Sequence, residues 1–279
     1  MTSVSAAITG SPSLLAYHPV RFDDLIRVGR DHDGGYVLPA NVIDRSAALL
    51  SLGVNDDWSF EEGVYGRNPR IRVVCVDGTA SLSRIVLKAM RKALEMIGAL
   101  VTGQKDKLVR NARYLSRPLP FWRFFNRHEL LRLMVAETAG ARRITLPELM
   151  SRLSPPHAEH WTILKSDIEG SEYAVLGGAG EWTRRVSALV VEFHGLDRNW
   201  QQFATCMDRL MREFHIAHVH GNNFDGTIPG TDVPVTVEVT LVNKAFAPGP
   251  RSPARGPFPL AGLDMPNNRK LPDLPISFG

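Results

Sequence analysis

Cysteine is nearly absent from the 279-residue chain: Cys75 and Cys206 are the only two. Two thiols build neither a disulfide framework nor a four-cysteine zinc site. No apolar run approaches the ~18 residues that a membrane-crossing helix needs. The opening MTSVSAAITGSPSLLAYHPV has no basic region ahead of an apolar core, so no secretory signal is expected. The expectation is a cytoplasmic protein in a reducing compartment. The sequence also has no G-x-G-x-x-G run and no phosphate-binding loop, which argues against a dinucleotide cofactor and a nicotinamide-dependent oxidoreductase. Nineteen prolines and 23 glycines are ordinary frequencies, and 44% hydrophobic with 22% charged residues describes a folded globular chain.

Charge is unevenly spread. Between Ser81 and Arg127 stand eleven Lys/Arg against only Glu95 and Asp106, a local +9 in a chain of +4 overall. That basic stretch ends in the aromatic run Pro118-Leu119-Pro120-Phe121-Trp122-Arg123-Phe124-Phe125. Residues 81–127 therefore have the character of a peripheral contact with an anionic surface, such as the inner face of a membrane. An acidic glycan or a partner domain suits the same charge, and so does a plain solvated helical face. Nothing resembles an RNA-binding module, so no nucleic acid partner is expected.

Short apolar runs ending in glycine or acid organise the rest: Ala47–Gly53, Ile71–Asp77, Trp161–Asp167 and Ala188–His194. Continuous rather than alternating apolar residues fit parallel strands covered on both faces. Helical stretches at Ser171–Leu176 and Trp200–Glu213 separate them. His215–His220 and Val233–Val242 read as a final strand pair, the second half-exposed. Strands alternating with helices predict an α/β open sheet. The domain reading is an extension over 1–24, a main domain over 25–245 with a basic helical insertion at about 81–140, and a Pro-rich tail over 246–279 packing on it.

Ligands of open α/β sheets bind beyond the carboxyl ends of the strands. The tips present Gly53, Asp77 with Gly78, Asp167 with Glu169, and Glu192 with His194. Gly53 permits close approach of a ligand to the backbone. Asp77, at the end of the second strand, suits a bidentate hydrogen bond to ribose hydroxyls. Asp56 and Asp57 beside Gly53 would repel a pyrophosphate and favour a cationic or phosphate-free cofactor.

The segment Leu164-Lys165-Ser166-Asp167-Ile168-Glu169-Gly170-Ser171-Glu172-Tyr173-Ala174-Val175-Leu176, with three acids within six residues, resembles the signature of FkbM-type S-adenosylmethionine-dependent methyltransferases, in their methyltransferase-like branch. Arg27-Val28-Gly29-Arg30-Asp31-His32-Asp33-Gly34-Gly35-Tyr36-Val37 is similar to the leading motif of that branch. Ser51-Leu52-Gly53-Val54-Asn55-Asp56-Asp57-Trp58-Ser59-Phe60-Glu61 is similar to its cofactor loop, His218–Asn223 to its late strand, and Leu263–Asn268 to a segment near its C-terminus. The matches run in order from about 25 to 275, leaving only the basic section unmatched. Ser51 stands where an acid is usual.

The resemblance implies a Rossmann-like class I methyltransferase sheet, mostly parallel with an antiparallel late strand. It implies S-adenosylmethionine bound by Asp33, Gly34, Gly35, Tyr36, Gly53, Val54, Asp57, Trp58, Ser59, Asp77, Gly78, Asp167 and Glu169. The implied activity is methylation of a hydroxyl on a sugar, glycoconjugate or secondary metabolite, so the partner is a small-molecule or glycan acceptor. His194 is the candidate base, with Asp167 and Glu192 beside it. Asp167, Glu192 and His194 also have the ligand types of a divalent ion such as magnesium, which His218 and His220 could join. A hydrogen bond to Asn222 or Asn223 explains that histidine pair equally well. The contrasting reading is a non-catalytic protein binding a membrane or polyanion on a degenerate methyltransferase fold.

Overall fold

The computed structural model describes residues 12–153, 160–178 and 180–278. A hairpin of β1 (Leu25–Val28) and β2 (Tyr36–Pro39) leads through α1 (Ala40–Arg45) into the main sheet. Then follow β3 (Ala48–Leu52), α2 (Ser59–Arg67) and β4 (Arg72–Val76). Next come α3 (Leu82–Val101), α4 (Lys105–Leu115), α5 (Pro118–Phe125), β5 (Glu129–Leu131), β6 (Met134–Val135), β7 (Arg143–Ile144) and α6 (Leu146–Leu153). The chain ends with β8 (Thr162–Ser166), α7 (Glu172–Leu176), β9 (Val186–Phe193), α8 (Leu196–Glu213), β10 (Phe214–Thr227) and β11 (Pro234–Asn243).

The main sheet has seven strands in the order β10-β11-β9-β8-β3-β4-β5. β5, β4, β3, β8 and β9 are parallel, and β11 runs antiparallel between β9 and β10. This is the Rossmann-like α/β sheet that the sequence implies. Alternate residues on each strand feed opposite faces, which is why the runs are apolar without interruption. Leu50, Val74, Leu164 and Leu189 pack with α6 and α8 on one side. Leu49, Val73, Ile163 and Ala188 pack with α1 and α2 on the other. Cys75 and Cys206 are buried, unpaired and in different clusters.

Two expectations differ from what is observed. β11 is buried along almost its whole length, not half-exposed, because it lies inside the sheet between two neighbours. The insertion expected to be helical over about 81–140 also includes β5, the edge strand of the main sheet; three residues with one exposed end leave no apolar run to read.

The residues after β11 cross back over the sheet and are held by polar contacts. His218 Nε2 lies 3.1 Å from Asp264, and His220 is bracketed by Glu238 at 3.1 Å and Asp273 at 3.0 Å. Asn267 donates to Glu238 at 2.6 Å, and Asn223 donates to the Asn268 carbonyl at 3.1 Å.

Candidate functional site

The carboxyl ends of β3, β4, β8 and β9 open into a cavity of about 570 Å³. That size is usual for a small-molecule site. Asp33, Gly34, Gly53, Val54, Asp57, Asp77, Gly78, Asp167, Glu169, Glu192 and His194 all line it. Four other residues named from the sequence do not. Tyr36 is buried behind the wall, because β2 turns that side chain inward. Trp58 points away and packs edge-on against Phe121 of α5. Ser59 begins α2 and donates to the Gly34 carbonyl at 3.4 Å. Gly35 is wedged against the leading loop, where a Cβ would meet the Arg30 carbonyl oxygen at 1.9 Å.

The leading loop reaches the cavity because Arg27 gathers it, donating to the Arg30 carbonyl at 3.0 Å and to the His32 carbonyl at 2.7 Å. Gly53 has φ +77°, and a Cβ there would meet the Asp167 carbonyl oxygen at 1.8 Å. The close approach that this glycine permits is thus of the β8 tip to the β3 tip, not primarily of a ligand. Asn55 and Glu169 have positive φ, 48° and 54°, and both line the cavity. Backbone held in this region by non-glycine residues is characteristic of functional loops.

Asp77 organises two turns at once. One oxygen accepts from the Val54 and Asn55 amides at 2.9 and 2.7 Å; the other accepts from the Thr79 amide and hydroxyl and the Ala80 amide. Burial opposes the charge, but these bonds hold its carboxyl below the usual range. Five donors occupy the two oxygens, so Asp77 chiefly fixes the loop walls, and the expected bidentate ribose contact has little free lone-pair capacity.

Lys165 and Glu61 complete the floor. Lys165 sits in the middle of an apolar strand, donates to the Gly53 carbonyl at 2.7 Å, and lies 3.6 Å from Asp167 and 3.9 Å from Glu61. Burial disfavours its charge, but the Glu61 and Asp167 carboxylates outweigh it and raise its pKa. Glu61, fully buried in the first turn of α2, accepts from the Ser51 hydroxyl. The acid missing at position 51 is supplied from α2.

His194 stands at the end of β9. Its Nδ1 lies 3.0 Å from Glu172 Oε1. Glu172 also accepts from the Ile168 and Gly170 amides at 3.1 and 3.2 Å, so it is fixed before it meets the ring. Nε2 faces the acids, 3.7 Å from Glu169, 3.9 Å from Glu192 and 4.0 Å from Asp167. Burial opposes protonation, but the Glu172 bond and the surrounding carboxylates push the imidazole up to about 9. Burial and then Asp167 push Glu192 up to about 8. The Tyr36 hydroxyl lies 3.2 Å from both Asp167 and Glu192. Its single proton serves one of them, and a proton on Glu192 completes the other contact. Asn222 donates to Glu192 at 2.7 Å.

The negative charge is neutralised unequally. Asp56 is held by Lys88 and by Arg117 at 3.0 Å, and Asp57 by Arg30 at 2.6 Å. Asp33 is pushed up by burial and by Asp167. Asp33, Asp167, Glu169 and Glu192 keep the cavity acidic, with Lys165 beside Asp167 and the His194 ring among them.

Asp167, Glu192 and His194 each place a ligand atom within 4.8 Å of the other two. His218 and His220 do not join them, because their ring nitrogens face Asp264, Glu238 and Asp273; neither Asn222 nor Asn223 is their partner. Lys165 and Glu172 lie in the 164–176 segment that the sequence marks, Glu172 as the third acid of that tip, but the sequence assigns neither a role. A lysine inside an apolar parallel strand is the signal that marks the first, and three acids within six residues, Asp167, Glu169 and Glu172, the signal that marks the second.

No protein-family model matches the chain, and no curated protein matches it. Among solved structures it is similar to a precorrin-6y C5,15-methyltransferase from Geobacter metallireducens GS-15 (12% identity, TM-score 0.35, 74% of this chain and 87% of that chain). It is also similar to a fibrillarin/Nop5p complex (9%, 0.35, 71% and 73%) and to the mitomycin 7-O-methyltransferase MmcR (11%, 0.28, 73% and 52%). Among the described residues no helix is long and apolar enough to cross a membrane.

Proposed function

We propose that this chain is an S-adenosylmethionine-dependent methyltransferase acting on a hydroxyl of a sugar, glycoconjugate or secondary metabolite. The observation that carries the reading is the gathering of acidic side chains, Asp33, Asp167, Glu169 and Glu192, around His194 in a cavity at the strand tips. A cofactor with a sulfonium and an ammonium, and without phosphate, fits that charge. Gly53, Val54 and Asn55, held by Asp77, supply the backbone wall against which a nucleoside can lie. The order of motifs from the leading loop to the C-terminal segment supports the same assignment.

When bound, S-adenosylmethionine would supply an electrophilic methyl group to the acceptor oxygen, its bond to sulfur breaking as the new bond forms. The hydroxyl proton must then leave. His194 Nε2 faces the cavity and takes it, while Glu172 keeps the Nδ1 proton and fixes the ring plane. At neutral pH the free protein holds His194 largely as imidazolium, since its pKa lies near 9. A cation arriving in the cavity opposes that charge and drives the ring toward its neutral, basic form. Asp167 and Glu192 fix the position of Tyr36 and provide the field that receives the cation. Alignment of acceptor and methyl by the rigid strand tips supplies the remaining acceleration.

A divalent ion at Asp167, Glu192 and His194 would be another way to acidify the hydroxyl, and their proximity favours considering it. The raised affinity of Glu192 and His194 for protons offsets part of the charge of this cluster, and the base reading requires no metal.

The test is transfer of labelled methyl from S-adenosylmethionine to a panel of saccharides and phenolic alcohols, with and without chelator. Transfer by the wild type, undiminished by chelator and lost in His194→Ala with cofactor affinity intact, is the expected result. Full activity in His194→Ala would exclude the base, and loss with chelator would favour the ion.

A further inference from the structure

The helix that leaves the cavity rim, α3, carries its largest apolar side chains on the outside. Leu87, Met90, Leu94, Ile97 and Val101 recur at three- and four-residue spacing and are between 61% and 83% exposed. Its inward face is narrow and made of small residues, Ala89 and Ala99 with Ile85. A helix in a water-soluble protein normally turns such a stripe inward. Fourteen residues separate Leu87 from Val101, so the stripe runs for about 20 Å, far more than scattered surface apolar residues.

Charge borders this stripe. Arg91 stands exposed on one flank of the same helix, in line with Arg84 and Lys88 nearer the cavity rim, and α4 adds Lys105, Lys107 and Arg110. On α5, Leu119 and Trp122 are half-exposed beside Arg123. An apolar stripe flanked by basic residues, with an aromatic at the boundary, matches a helix lying in the headgroup layer of an anionic bilayer. A second copy of the chain would bring one +9 segment against another, which like-charge repulsion opposes.

We propose that α3, with α4 and α5, docks the protein on an anionic membrane surface, with Leu87, Met90, Leu94, Ile97 and Val101 entering the headgroup layer. Docking would also reach the cavity. Lys88 of α3 and Arg117 at the start of α5 both grip Asp56, and Arg84 lines the cavity itself. The rim of the site is thereby tied to the docked helices. This inference does not depend on the methyl-transfer reading, and its test uses no cofactor.

Flotation of the full chain with phosphatidylcholine vesicles, with and without 25 mol% phosphatidylserine, measures the docking. Expected is binding to the anionic vesicles only, falling at least tenfold between ~0.05 and 0.5 M salt as the charges are screened. Leu87→Glu with Leu94→Glu should abolish binding without changing the near-ultraviolet circular dichroism, since both side chains are exposed. Three results would overturn the proposal: no binding, equal binding to neutral vesicles, or a self-association by sedimentation velocity that the same pair of substitutions abolishes.

Discussion

His194 and Glu172 form a fixed pair: the imidazole Nδ1 stands 3.0 Å from a carboxylate that three backbone and side-chain donors share and that is fully buried. The pair leaves one ring nitrogen for chemistry and determines how readily it is protonated. In the free protein the imidazole should titrate near 9 by nuclear magnetic resonance. Glu172→Gln keeps an acceptor for the amides but removes the charge, so the titration should move down by about one unit or more. An unchanged midpoint would remove Glu172 from this role.

Cation binding to a cluster that carries protons must release them. Glu192 is held up to about 8 by burial and Asp167, and a cation lowers it. The complex then binds fewer protons than the free protein, so affinity for S-adenosylmethionine should rise with pH between about 6.5 and 8.5. Asp33→Asn should weaken that affinity about tenfold by removing one carboxylate from the cavity wall. Calorimetry in buffers of different ionisation enthalpy reads the released protons directly.

Stability should fall on the alkaline side. Glu192, His194 and His220 are all raised, to about 8, 9 and 10, so the native state binds more protons than the unfolded chain across this range. That contribution is complete below the unfolded pKa of each group and is lost as pH climbs through the folded value. Between pH 6.5 and 9 the melting temperature should drop by about 4 °C or more. A flat profile would show that these groups are not perturbed in the folded protein.

Gly53→Ala tests the meeting of the β3 and β8 tips. The new methyl would meet the Asp167 carbonyl oxygen, and the residue would be held at φ +77°. A loss of about 2–4 kcal/mol in unfolding free energy is expected, with cofactor binding lost in the protein that still folds. Retained stability would mean that the tips move apart without cost.

The sheet was legible because buried parallel strands leave continuous apolar runs, and each run stops at the residue that reaches the cavity: Gly53, Asp77, Asp167, His194. Orientation was not legible. Tyr36 and Trp58 lie within motifs that do reach the site, but their own side chains turn inward or toward α5, which neighbours in sequence do not reveal. The roles of Glu172 and Lys165 were not legible because their partners, His194 and Glu61, lie 22 and 104 residues away in sequence. The exposed stripe on α3 had the spacing of an ordinary buried helix face, and only its placement against α4 and α5 shows which side is outside.

Calorimetric titration of the chain with S-adenosylhomocysteine, beside a nicotinamide dinucleotide, tests the central claim most directly. One site of micromolar Kd for the thioether, about −8 kcal/mol, and no heat from the dinucleotide is the predicted result. No binding of S-adenosylhomocysteine at millimolar concentration would contradict the account.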